Sequence, residues 1–320
     1  MESSRARRSR RARPSRTRPL LSIALATVAV VGITAAGTVY VKARAHSGTG
    51  AVSSASPTDS PSADGEESVK PVTEPTVDHD ARLTEAMESV PVEGRAKVSA
   101  AVLDLDSGER AVYGDGAFDT ASIVKVDILA TLLLQAQDAD RPLTATETSY
   151  ATKMIENSDN TAASALWDFI GQAGGLDAAN KTFGLTGTQG GDGALWGLTQ
   201  TTAADQLTLL QQVFGDDSKL SEASRSYARG LMAAVEADQR WGVSAAADGS
   251  GCALKNGWLA RSTTGLWDIN SIGRVTAGGQ AYLVAVLSNG NATQAKGISL
   301  VESAAKAAVS VFAGDGSSAS

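Results

Sequence analysis

The strand-like runs of this chain stand at the two ends of one long region, and everything between them reads as helix. "KVSAAVLDLDSGERAVYG", residues 97–114, has apolar runs on either side of "DLDSGE", the pattern of two strands joined at a turn. Three more such runs, "CALKNGWLA", "LWDINSIGRV" and "AYLVAVLSN", come only far down the chain, separated by Gly, Ser and Thr. Residues 122–235, between these groups, carry apolar positions at helical spacing. Helical stretches also open the region, "ARLTEAMESV", and close it, "TQAKGISLVESAAKAAVSVF". A lone hairpin is marginal in water, so strands from both ends are expected to share one sheet. The expected fold is therefore α+β: an antiparallel sheet flanked by helices, with an all-helical lobe inserted between its strands.

The N-terminal part follows different rules. Residues 1–18 hold eight arginines against one acid, Glu2, although the whole chain has a formal net charge of -7. An uncharged stretch at 20–41, "LLSIALATVAVVGITAAGTVYV", follows, long enough to cross a bilayer as a helix. The arginines precede it, so the charge rule places the N-terminus in the cytoplasm and the remainder outside. The alternative is a signal peptide cleaved after "ARA", near Ala45. Residues 42–79 are rich in Ser, Pro, Thr and acids and hold no aromatic residue, a composition that cannot build a core. The expected organisation is a basic cytoplasmic tail at 1–19, an anchor or signal at 20–41, a linker at 42–79, one folded domain at 80–314 and a frayed tail at 315–320. The location expected is the plasma membrane, single-pass, with the domain extracytoplasmic. An acidic body argues against nucleic acid as a partner, and the domain is expected to be a monomer.

The chemistry available is narrowed by what is missing. The two histidines, His46 and His79, lie in or beside the linker, which removes a Ser-His-Asp apparatus and His-ligated zinc from the domain. Cys252 is the only cysteine, so neither an internal disulfide nor a Cys-based metal site is possible. A nucleophilic serine here needs some other base. In "FDTASIVKVDILATLLLQAQ" a lysine, Lys125, sits one helical turn after Ser122 at the start of a mostly apolar helix. Residues at i and i+3 share a face, and burial lowers a lysine's pKa toward the range of a working base. Farther on, "SDN" at Ser158, Asp159 and Asn160 precedes another apolar helix, where all three residues also suit an N-cap. Lys255, Asn256 and Gly257 then fall on an expected strand, where a glycine permits close approach of a ligand's backbone.

S-x-x-K, then S-D-N, then K-x-G, in this order, resembles the signature of the penicillin-recognising serine enzymes, the class A β-lactamases and penicillin-binding proteins. The similarity extends over nearly all of residues 82–312 and takes in Thr201 and Thr202 and the "RWGV" run. It implies a β-lactamase/transpeptidase-like fold with the site between sheet and helical lobe. It implies Ser122 as the nucleophile that becomes acylated, Lys125 as its base, Ser158 as the proton relay to the leaving nitrogen, and Asn160 as a support for Lys125 and the substrate amide. Lys255 would supply positive potential for a substrate carboxylate, and the backbone N–H groups of Ser122 and Trp258 would form the oxyanion hole. Asn256 and Gly257 would line the substrate. The implied partner is a small-molecule substrate, a β-lactam or a D-alanyl peptide, with no metal or organic cofactor.

Three departures from that pattern bear on activity. Class A enzymes carry a glutamate between the second and third motifs to activate the deacylating water, and this chain has none between Glu156 and Glu222; its loop "GLTGTQGGDGALWGLTQTT" offers only Asp192. The segment between Lys125 and Ser158 is short. Asn256 replaces the usual Thr or Ser, its amide being expected to donate to a carboxylate at a different geometry. Arg261 and Arg274 are expected as solvated surface residues, with compensation at that carboxylate as the alternative role for either.

Overall fold

The computed structural model describes residues 77–249 and 251–313. The expected tail, anchor or signal, and terminal fray lie outside those residues, as does nearly all of the linker. Among the described residues, no helix is long and apolar enough to cross a membrane.

Helix α1 (His79–Glu88) opens the domain and starts two residues before the helical stretch that the sequence suggests. The reason is local. Asp78 accepts a hydrogen bond from Ala81 N at 3.0 Å as the N-cap, and the His79 ring lies 4.8 Å from that of Phe312. The hairpin follows as β1 (Lys97–Asp104) and β2 (Arg110–Tyr113), then a two-residue strand β3 (Phe118–Asp119). The helical lobe comprises α2 (Val124–Asp138), α3 (Ala145–Glu156), α4 (Asn160–Phe169) and α5 (Gln172–Phe183). After a loop come β4 (Gln200–Thr201), α6 (Ala203–Phe214) and α7 (Glu222–Ala233). Strands β5 (Ala253–Ala260), β6 (Trp267–Ala277) and β7 (Gln280–Asn291) and helix α8 (Gln294–Ala313) finish the domain.

The main sheet has the order β2-β1-β7-β6-β5, with every pair antiparallel. Its first two strands are therefore inserted beside its last one, as the separation of strand-like runs requires. Val102, Val284, Val286, Ile269 and Ile272 are fully buried, and both faces of the central strands are covered. Helix α8 lies close on one face: a Cβ at Gly297 would come 2.3 Å from Ile269 Cγ1, so only glycine fits there. The sequence gives no hint of the small second sheet, in which Phe118 pairs with Thr201 and Asp119 with Gln200. Two-residue strands are too short to show a period.

Helix α2 is buried on all sides, and it carries Asp127 into the core. Asp127 Oδ2 accepts from Asn180 Nδ2 at 3.1 Å, while Oδ1 has no hydrogen-bond partner among the described residues. Burial pushes the carboxyl up to about 7, opposed by the Asn180 bond and helped by the charges of Asp177 and Asp205. The folded state thus holds a proton that the unfolded chain releases near pH 4, and stability falls as pH rises from about 4 to about 7. Asp127→Asn keeps the acceptor without the charge. Its unfolding free energy in chemical denaturation should match the wild type near pH 4 and exceed it at pH 8, by about 4 kcal/mol.

Candidate active site

Three separated segments meet at one hydroxyl. Ser158 Oγ lies 3.0 Å from Lys125 Nζ and 3.1 Å from Lys255 Nζ. Lys125 Nζ also donates to Ser158 O at 2.7 Å and Asn160 Oδ1 at 2.8 Å, and Lys255 Nζ to Asn256 O at 3.0 Å. Both lysines are fully buried. Burial brings Lys125 down to about 8, against a smaller raising effect of Asp159. At pH 7 this makes the neutral amine about 300-fold more abundant than in a free lysine. Lys255 is held well below its ordinary value, by burial first and then by the charge of Lys125. A hydroxyl between two such amines can pass a proton in either direction.

Local structure explains the convergence. Ser122 sits in a 3-10 turn (Ala121–Ile123) that leads into α2, rather than within the α-helix itself, with Lys125 on the helix's first turn. The residue before it, Ala121, has φ 48°, and Ser158 has φ 55°, left-handed values that non-glycine residues rarely hold. Asp159 does the capping work in the second motif: its Oδ1 accepts from Ala162 N at 2.6 Å, which leaves Ser158 and Asn160 free for Lys125. In the third motif, Lys255 and Gly257 turn to the face of β5 that meets the Ser122 turn. A Cβ on Gly257 would come 2.7 Å from Ser122 N, 2.8 Å from Thr120 O and 2.9 Å from Ile123 N. The backbone that approaches this glycine is that of the Ser122 turn, where the sequence suggests a ligand's. This contact places Ser122 N against Gly257, the residue before Trp258, on β5, the edge strand of the sheet.

Asn256 departs from the sequence reading. It is fully buried on the opposite face of β5, where Nδ2 donates to Gln239 O at 2.7 Å and Trp241 O at 2.9 Å. Oδ1 accepts from Ser271 Oγ at 2.5 Å. With both amide hydrogens committed, it has none to offer a substrate carboxylate. Arg261 is likewise engaged, paired with Asp119 and lying 3.5 Å from Asp268. Arg274 sits opposite Ala253, at the far end of β5.

Two contributors escape sequence reasoning. Asn270 on β6 donates from Nδ2 to Asp119 O at 2.9 Å and Thr120 O at 3.0 Å, tying the approach to Ser122 to the sheet. Its only signal is a polar pair, Asn270 and Ser271, inside an apolar strand. The other is Trp196. The loop between α5 and β4 is held by carboxylates at its base, with Gly187 N donating to Asp205 Oδ2 at 2.8 Å and Gly190 N to Asp177 Oδ1 at 2.7 Å. Asp192 is exposed on this loop. The side chain that the loop brings to Lys125 is an indole: Nζ lies 5.1 Å from the centroid of Trp196, whose Nε1 donates to Ser164 Oγ at 3.1 Å.

With this arrangement on view, the comparisons with known proteins decide the family. The model of the β-lactamase enzyme family matches residues 146–312, more than half of the chain. The chain belongs to the β-lactamase enzyme family. The matched residues include the second and third motifs and lie downstream of Ser122 and Lys125. Among solved structures, PBP-A is similar at 21% identity and TM-score 0.62, over 73% of this chain and 96% of that one. The TLA-1 extended-spectrum β-lactamase is similar at 15% identity and TM-score 0.63, over 73% and 97%. A β-lactamase from Chitinophaga pinensis is similar at 16% and 0.61, over 72% and 97%. No curated protein matches. These likenesses establish the β-lactamase/transpeptidase-like fold for this family member.

The Gly257 contact yields a stability prediction. Gly257→Ala should cost about 1–3 kcal/mol in denaturant unfolding, since its Cβ meets backbone on three sides. Gly230→Ala on α7, where a Cβ meets nothing within 4 Å, should instead stabilise by about 0.5–1 kcal/mol.

Proposed function

We propose that this protein is a serine hydrolase of β-lactamase type, acylated on Ser122 by β-lactams or by related cyclic or peptidic amides, and slow to deacylate. The observation that carries this reading is the Ser158 hydroxyl shared by Lys125 and Lys255, next to a nucleophile turn clamped between Gly257 and Asn270. Lys125, as the neutral amine, takes the proton of Ser122 Oγ while that oxygen bonds to the carbonyl carbon. The oxyanion forms against the N–H groups of Ser122 and Trp258. One such donor is worth about 2.7–4 kcal/mol in the barrier. When the C–N bond breaks, Ser158 gives its proton to the leaving nitrogen and regains one from the Lys125 ammonium. Ser122 is left as an ester, and all protons are accounted for.

Slow release follows from the loop. Hydrolysis of the ester needs a base for water, and the loop presents the Trp196 indole to Lys125 where a carboxylate would be useful. A mutant of PBP-A, similar in fold, is described as an acyl-enzyme complex with penicillin G. A stable acyl-enzyme favours, as the second reading, a penicillin-binding protein acting on cell-wall peptides. The charge pattern of residues 1–44 supports an extracytoplasmic position for the domain, held to the plasma membrane through 20–41.

Mixing the protein with a chromogenic cephalosporin tests this. The expected trace is a burst of about one equivalent followed by slow turnover, with intact mass showing one adduct. Ser122→Ala should show neither burst nor adduct. An undiminished burst in that variant would remove Ser122 from the mechanism.

A further inference from the structure

The open edge of β5 departs from what a carboxylate-binding cleft needs. An anion there requires a donor or cation that is free to turn toward it. The groups placed to serve are each committed to the protein. Lys255 is fully buried against Ser158 and Asn256 O, and the Asn256 amide is spent on Gln239 O and Trp241 O. Arg240, in the segment that packs beside Asn256, gives its guanidinium to Val235 O at 3.0 Å and Ala233 O at 2.6 Å. Arg261, just past the end of β5, faces two carboxylates, Asp119 and Asp268, so that corner carries no surplus positive charge.

What the strand does present is apolar. Trp258 and Trp241 are both half-buried, with ring centroids 6.0 Å apart. Trp258 directly follows the glycine that lies against Ser122 N, and among the described residues no strand pairs with the outer edge of β5. A substrate laid along that edge with its carbonyl at Ser122 passes the rim that these two rings form on the Asn256 side of the strand, and a carboxylate placed against them would lose its hydration without a charged partner.

We infer that the leaving-group side of the natural substrate is uncharged, an internal amide or ester with apolar or ring surface beyond the scissile bond, selected by Trp241 and Trp258. This rests on Ser122 being the acylated residue. Among cell-wall peptides it favours cleavage within a chain over removal of a terminal residue bearing a free carboxylate.

Two thioesters decide it: N-benzoyl-D-alanyl thioglycolate and its methyl ester, which differ only in that charge. In each, Ser122 Oγ bonds to the carbonyl carbon, the C–S bond breaks and the thiol leaves, so thiol release and intact mass report acylation. After each rate is divided by that thioester's hydroxide rate, the methyl ester should acylate the full-length protein at least 3-fold faster. In Trp241→Arg, with unchanged circular dichroism, the ratio should swing at least 10-fold toward the carboxylate. Equal rates or a faster carboxylate in the wild type would overturn the inference while leaving Ser122 acylation intact. A ratio unmoved in the variant would overturn the role of Trp241. Absence of any adduct from either thioester would overturn the serine reading and this inference with it.

Discussion

The site depends on two amines kept out of water around one hydroxyl. Two lysines within hydrogen-bond reach of the same oxygen repel each other, and burial penalises both as cations. Lowering Lys125 to about 8 corresponds to about 3 kcal/mol by which the fold disfavours its ammonium form. Nothing local compensates fully; the cost is borne by the packing of the sheet and lobe around them. The second motif therefore holds its shape under strain, with Ser158 in a left-handed conformation, so that its carbonyl and its hydroxyl both face Lys125. On the other side, Asn270 and Gly257 fix the turn that bears Ser122.

This dependence explains why the site occupies the seam between sheet and lobe. Lys125 comes from the lobe's central helix, Ser158 and Asn160 from the turn into α4, and Lys255 from the sheet's edge strand. None of these elements could bury a lysine alone. The buried face of α2 is apolar apart from Lys125, Asp127 and Thr131. The loop that carries Trp196 is fastened by Asp177 and Asp205, the same carboxylates whose charges raise Asp127 in the core of the lobe. Loop anchoring and lobe electrostatics are thus coupled through α5 and α6.

Much of this architecture is legible in the sequence because its signals are long. The strands β5, β6 and β7 and the helices α2 and α8 are extended apolar runs with clear periods, and the order of the three motifs carries the site. What escapes is set by tertiary contact. Strand alternation puts Asn256 on the face opposite Lys255, but only the arrival of Gln239 and Trp241 shows that its amide is consumed there. Trp196 is one aromatic residue in a glycine-rich loop, and its nearness to Lys125 depends on how Asp177 and Asp205 fold that loop back. Asn270 reads as an interruption in a strand until the backbone of Asp119 and Thr120 is placed against it. The small β3–β4 pair has too few residues to announce itself.

The central claim is that Lys125 is a neutral base within reach of physiological pH. Its most direct measure is the titration of the Lys125 side chain by NMR, in protein labelled at the lysine Cε and assigned with Lys125→Arg. A midpoint near pH 8 is the expected result. A midpoint near 10.5, that of a lysine in water, would contradict the account.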